Sequence, residues 1–147
     1  MQARRRRPEF QRRRGATVVE FALVAPLLFL LVFGLIEFGR YVMLEQIAIT
    51  ATREGSRKAA LGTTISDQQV ETVVRSYLAA GGVQSSVADD PSKVVISVSP
   101  SNLNGLAPGT PITVDLQMSF GETGWLPGDL FGLATVNVSS STTMERE

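Results

Sequence analysis

One carboxylate, Glu20, stands inside an otherwise uncharged run from Ala16 to Ile36, and seven arginines crowd the fifteen residues ahead of it. A carboxylate costs about 2.5–3.5 kcal/mol at the centre of a bilayer, and less near an interface. Glu20 follows Arg14 by only six residues, so on its own it reads as a tolerated interfacial acid. Ala16 and Glu20 are four residues apart, the interval that shares a helix face. Other chemistry fails on inventory. The chain has no histidine and no cysteine. That removes the commonest general base, disulfides, iron–sulfur clusters and thiolate zinc sites. Glu122 and Asp129 lie in a loop without a recognisable partner, and no glycine–lysine phosphate cradle is present. Asp89-Asp90-Pro91 reads as a turn, because the alternating aspartates of a calcium loop are missing. No enzymatic activity, cofactor or metal is expected.

The elements that must position Glu20 follow from charge and hydropathy. The net charge of zero averages two unlike pieces: +6 over residues 1–15 and −6 over the remainder. An arginine-rich arm can mark a nucleic-acid binder, but here it abuts an apolar run, so no nucleic-acid partner is expected. Arg4, Arg5, Arg6, Arg7, Arg12, Arg13 and Arg14 instead predict a cytoplasmic N-terminus with the acidic remainder across the membrane. Ala16–Ile36 is about the length of a bilayer span. Pro26 lies inside it and predicts a kink near Ala22. Secretory signals end in small residues after the apolar run. Here Glu37-Phe38-Gly39-Arg40-Tyr41 follow instead, and the helix continues to about Leu61, before Gly62. Glu37, Arg40 and Tyr41 mark the outer membrane–water boundary. Glu37 and Arg40 are three residues apart, close enough to pair, although two solvated interface residues beside an aromatic anchor are the simpler reading. Tyr41, Leu44, Ala48, Ala51, Gly55 and Ala59 form a narrow stripe of small and apolar residues.

The rest predicts a small head. Ser66 with Gln69 fits a capping box for a helix over Ser66–Ala80, with Val70, Val73, Val74, Tyr77 and Leu78 on one face and Gly81-Gly82 as its stop. Three strands follow. Val94, Ile96 and Val98 alternate within Lys93–Ser99. Ile112–Phe120 alternates most cleanly. Ala134, Val136 and Val138 open a third strand into Ser139–Thr143. One-sided alternation predicts an antiparallel sheet with one covered face. The connections Pro100–Thr110 and Gly121–Leu133, the second holding the only tryptophan, Trp125, are long enough to carry partner contacts. The expected architecture is α+β: a basic leader over 1–15, a long helix over 16–61 that is transmembrane to about residue 38, and a head over 62–147 of one helix on three strands.

Gly15-Ala16-Thr17-Val18-Val19-Glu20-Phe21-Ala22-Leu23-Val24, then Pro26-Leu27-Leu28 and Gly34-Leu35-Ile36-Glu37-Phe38-Gly39-Arg40, resemble the TadE-like family, the pseudopilins or minor pilins of the tight-adherence (Flp) type IV pilus system. Thr52-Arg53-Glu54-Gly55-Ser56-Arg57 resembles that family's alanine–arginine–glycine–arginine stretch, with Thr52 and Ser56 where alanine is usual. Thr143-Met144-Glu145-Arg146-Glu147 resembles its closing segment, with Glu145 as an added residue. The resemblance implies cleavage between Gly15 and Ala16 by a prepilin peptidase, since Glu20 is the fifth residue after Gly15. It implies partners in the bilayer, other pilins and the assembly platform. The resemblance implies a bacterial inner membrane, with the head periplasmic and the chain either at the membrane or in the pilus. In that setting Glu20 would neutralise the new Ala16 amine, its own or a neighbour's. The competing expectation is an uncleaved, single-pass periplasmic adaptor or binding protein. A membrane-tethered hydrolase is the poorest fit.

Overall fold

Helix α1 runs unbroken from Phe10 to Ala60 in the computed structural model, which describes residues 10–63, 66–123 and 136–147. It starts six residues before the expected Ala16. Arginine is a good helix former, and a lone glycine costs a helix only about 1 kcal/mol, which the long following run offsets through cooperativity. Pro26 is accommodated without ending the helix. The chain divides into two compact units between Glu37 and Phe38. In the first, α1 leaves its apolar side chains open, with Leu23 75% and Leu27 71% exposed.

In the second unit the small-residue stripe becomes a packing face. Leu44, Ala48, Ala51, Gly55 and Ala59 are buried, and Thr52 and Ser56 are buried between them. Helix α2, Asp67–Ala80, buries Val70, Val74 and Leu78, whereas Tyr77 stays partly exposed. Ser66 sits at its N-cap but makes no side-chain cap bond, so the expected capping box does not form. Asp67 Oδ1 accepts from the Gln68 amide instead, at 3.1 Å. Its C-terminus closes as a Schellman motif: Gly82 N bonds Ala79 O at 3.1 Å and Val83 N bonds Leu78 O at 3.1 Å. Gly82 adopts φ +98°, which glycine alone takes at no steric cost.

A four-residue helix α3, Ser85–Ala88, follows and was not expected; four residues are too few to show periodicity. Arg75 ties α2 to it and to the first strand, bonding Ala88 O at 2.5 Å and Val94 O at 3.4 Å. Asp89-Asp90-Pro91 is a turn. Asp90 accepts from the Ser92 hydroxyl at 2.6 Å and its amide at 2.9 Å. The hydroxyl bond, then the amide, hold the carboxyl below its ordinary pKa. Such a contribution is present above the ordinary carboxylate range and fades as pH falls through the lowered value.

The sheet is antiparallel in the order β1-β2-β3, with β1 Val94–Ser99, β2 Pro111–Ser119 and β3 Asn137–Glu145. Val114 pairs with Val98 on one side and Thr142 on the other. Ile112, Val114, Leu116 and Met118 are buried, and Phe120 continues their face into a 3₁₀ turn. β3 starts at Asn137 and runs two residues past the expected Thr143. Ala134 and Trp125 lie outside the described residues. The Pro100–Thr110 connection is tied down, because Leu103 is fully buried and Gly109 N bonds Arg146 O at 2.7 Å.

The end of α1 is capped by the end of β3. A helix leaves its last four carbonyls without partners. Arg146 donates to Ala59 O at 2.7 Å and Gly62 O at 3.2 Å, and Glu147 N donates to Ala60 O at 3.0 Å. The guanidinium also lies where the helix dipole favours positive charge. Arg146→Ala should cost about 2–3 kcal/mol, because buried carbonyls lose charge-assisted bonds. Urea unfolding followed by circular dichroism in detergent measures it, with Arg146→Lys recovering part; an unchanged midpoint for Arg146→Ala refutes the cap.

Gly55 sets how closely α1 approaches its neighbours. A Cβ there would stand 2.5 Å from Val74 Cγ2 and 3.5 Å from Val114 Cγ1. Helix propensity favours Gly55→Ala by about 1 kcal/mol, but overpacking costs about 1–3 kcal/mol. The expected net loss is about 1 kcal/mol, or roughly 4–8 °C in Tm. In a Val74→Ala background the same substitution should become neutral or favourable; equal effects in both backgrounds would show that the contact does not matter.

Candidate functional site

Gly15, Ala16 and Glu20 all lie within α1 and are exposed. Four residues advance the helix by about 6 Å and just over one turn, so Ala16 and Glu20 stand one above the other on a single face. Among the described residues nothing pairs with the Glu20 carboxylate. An added Cβ at Gly15 would meet nothing within 4 Å, so packing within the chain does not demand a glycine there. Around them Val18, Val19, Phe21, Leu23 and Val24 are more than half exposed. An apolar surface of this extent on a single helix marks contact with lipid or another protein. The helix is long and apolar enough to cross a membrane. Arg12, Arg13 and Arg14 belong to the same helix, whereas Arg4–Arg7 lie outside the described residues.

The residues expected at the far boundary have separate roles. Glu37 is 3% exposed, and among the described residues its Oε2 has no hydrogen-bond partner. Arg40 does not pair with it; a terminal guanidinium nitrogen donates to Thr123 O at 2.5 Å, pinning the turn that follows β2. Tyr41 packs edge-on against Phe120, with centroids 5.7 Å apart and planes at 69°. Such pairs add about 0.5–1.5 kcal/mol beyond burial.

The structure also joins two segments whose relation the sequence did not disclose. Thr52 Oγ1 lies 2.8 Å from Ser140 Oγ and 3.1 Å from Thr142 Oγ1, and Ser56 Oγ donates to Thr142 O at 2.9 Å. Both helix residues are fully buried. Helix α1 and strand β3 therefore meet through hydroxyls, and three residues past Ser56 the Arg146 cap begins. Thr52 and Ser56 are the two positions at which this chain departs from the alanine–arginine–glycine–arginine stretch it resembles. A hydroxyl at helical spacing within the small-residue stripe was the available signal. It was missed because the partners Ser140 and Thr142 lie more than eighty residues away.

No group of three or more acidic, histidine or cysteine residues that could hold a metal occurs among the described residues. What α1 offers chemically is one accessible glycine–alanine peptide bond and one exposed carboxylate a turn beyond it.

No curated protein matches the chain, and no solved structure does. A family model described as TadE-like protein matches residues 15–57. The matched segment begins at the glycine of the Gly15–Glu20 constellation and ends just past Ser56: the chain carries a TadE-like segment over the exposed apolar helix and most of its packing face.

Proposed function

We propose that the protein is a minor pilin, or pseudopilin, of a tight-adherence (Flp-type) pilus. The observation that carries this reading is the TadE-like match over residues 15–57, which coincides with a helix whose apolar side chains are left exposed. Arg4–Arg7 and Arg12–Arg14 hold the N-terminus on the cytoplasmic side of the inner membrane. Residues 16 to about 38 span it, with Pro26 as the point where one backbone donor is missing and the helix can bend. Glu37, Arg40 and Tyr41 mark the outer boundary, and residues 62–147 form the periplasmic head.

A prepilin peptidase cuts between Gly15 and Ala16. The scissile bond lies in a helix, so it must unwind to be cut, and glycine is where unwinding costs least, by about 1 kcal/mol relative to alanine. The cut leaves an amine on Ala16. Glu20, one turn on and without a partner among the described residues, neutralises that amine or a neighbouring subunit's, which lets a charged terminus enter an apolar helix assembly. The partners are the bilayer, other pilins and the assembly platform, and the role is structural rather than catalytic.

Exact mass of the membrane-extracted chain, expressed with and without the cognate peptidase, tests this. A product starting at Ala16 only when the peptidase is present is expected. Intact chain in both conditions would leave an uncleaved, membrane-anchored adaptor. Glu20→Gln separates the two steps: cleavage continues as in the unaltered chain, whereas co-purification with the other pilins drops. Equal co-purification would rule out neutralisation by Glu20.

A further inference from the structure

Between α1 and α2 the second unit carries an apolar groove of about 540 Å³, lined chiefly by Met43, Gln46, Ile47, Thr50, Tyr77 and Gly81. Met43 is 57% and Tyr77 41% exposed, so two large side chains stand open at its mouth. Positions 43, 46, 47 and 50 share one helix face. Gly39, one turn before Met43, is exposed and an added Cβ there would meet nothing within 4 Å. That leaves the α1 backbone open to close approach. No lining residue is charged; Arg53, Glu54 and Arg57 continue the same helix face beyond Thr50, where Arg57 pairs with Glu54 at 3.9 Å.

Lipid does not fill this groove. On the membrane-anchored reading, on which this inference rests, hydrocarbon ends near Phe38. Gln46 and Thr50 then stand about 12 and 18 Å further along the helix axis. The headgroup layer on each side is only about 5–8 Å deep, so the occupant is protein.

We propose that the groove is a self-association surface, in which a second copy of this chain lays the Gly39–Thr50 face of its α1 against the same face. Copies anchored by one helix sit at one height and point the same way, which brings identical segments together at raised local concentration. A two-fold contact sets side chains near their own counterparts, where any charge would face a like charge. A lining without charge meets that requirement.

The absence of cysteine permits a direct test with the full chain. Gln46→Cys and Thr50→Cys are introduced singly, with Val95→Cys on the far face of the sheet as control. Each protein is reconstituted into phosphatidylethanolamine–phosphatidylglycerol vesicles, floated on a gradient and oxidised with copper phenanthroline. Disulfide dimers from positions 46 and 50, at least about fivefold above the control, are expected. Adding Met43→Glu to Gln46→Cys should return the yield to control level, because a like charge now faces itself; circular dichroism checks that the exposed substitution leaves the fold intact. Floated protein with control-level dimers at 46 and 50 overturns the self-contact and leaves the anchor standing. So does a yield that Met43→Glu does not change. Protein that fails to float overturns both. Cross-linking of Gln46→Cys in cells to a different pilin, in place of the dimer, assigns the groove to that partner and refutes the self-contact.

Discussion

The close approach of α1 to the sheet is the constraint on which the rest of the second unit depends. A helix lies tight against strands only if its facing residues are small, and α1 meets this with alanine, threonine, glycine and serine at successive turns. At Gly55 α1 is pressed from two sides: the space a Cβ would take is already occupied by Val74 of α2, and Val114 of β2 would lie 3.5 Å from it. Val70 and Val74 of α2 and Val114 of β2 gather around Gly55, and Leu78 and Val83 belong to the same buried core. A bulkier stripe would part the layers and leave Val114 and Leu116 without cover.

Tightness creates a polar problem, and the chain solves it with its own C-terminal strand. Hydroxyls at Thr52 and Ser56 fit where larger apolar groups would not, but burial obliges each to find a partner. β3 answers with Ser140, Thr142 and the Thr142 carbonyl. Arg146 then bonds the carbonyls that α1 exposes where it stops. This explains a strand that reads poorly as a strand: Ser139-Ser140-Ser141-Thr142-Thr143 has weak apolar alternation because its inward positions are matched to hydroxyls rather than to a hydrophobic layer. The outward hydroxyl of Thr143 pairs with Thr113 across the strands at 2.8 Å, so both faces of β3 carry side-chain hydrogen bonds.

What was legible in the sequence was whatever repeats with a period. The long helix, the α2 face through Val70, Val74 and Leu78, the β2 alternation and the α+β arrangement all follow from spacing of 3.6 or 2. What was not legible depends on a single distant partner. Arg146 is an ordinary charged residue in a tail until the last turn of α1 is placed against it, and Leu103 is one apolar residue in a polar connection until the core is seen beneath it. The boundary reading of Glu37, Arg40 and Tyr41 rests on their being neighbours in sequence, and it discloses none of their contacts in the fold. Thr123 and Phe120, more than seventy residues on, are the groups that Arg40 and Tyr41 touch. The spacing of Gly15, Ala16 and Glu20 is read within one helix, since nothing distant is needed to define it, and its role belongs to the proposed function.

The glycines of α1 separate what the fold explains from what it does not. Each costs the helix about 1 kcal/mol relative to alanine, so each requires a reason. Gly55 has one inside the chain, in the contact with Val74. Gly15, Gly34 and Gly39 have none there, because a methyl group at any of them would point into open space. Intramolecular packing therefore does not hold glycine at these three positions. On the proposed pilin reading the reason at Gly15 is conformational, because a bond that leaves the helix to be cut is best placed where the helix is weakest. On the proposed self-contact the reason at Gly39 is steric, the approach of a second helix to a face that lacks charge. The folded monomer thus accounts for glycine at Gly55 alone; at Gly15 and Gly39 the proposed reading places the demand outside the chain, and Gly34 has no structural explanation.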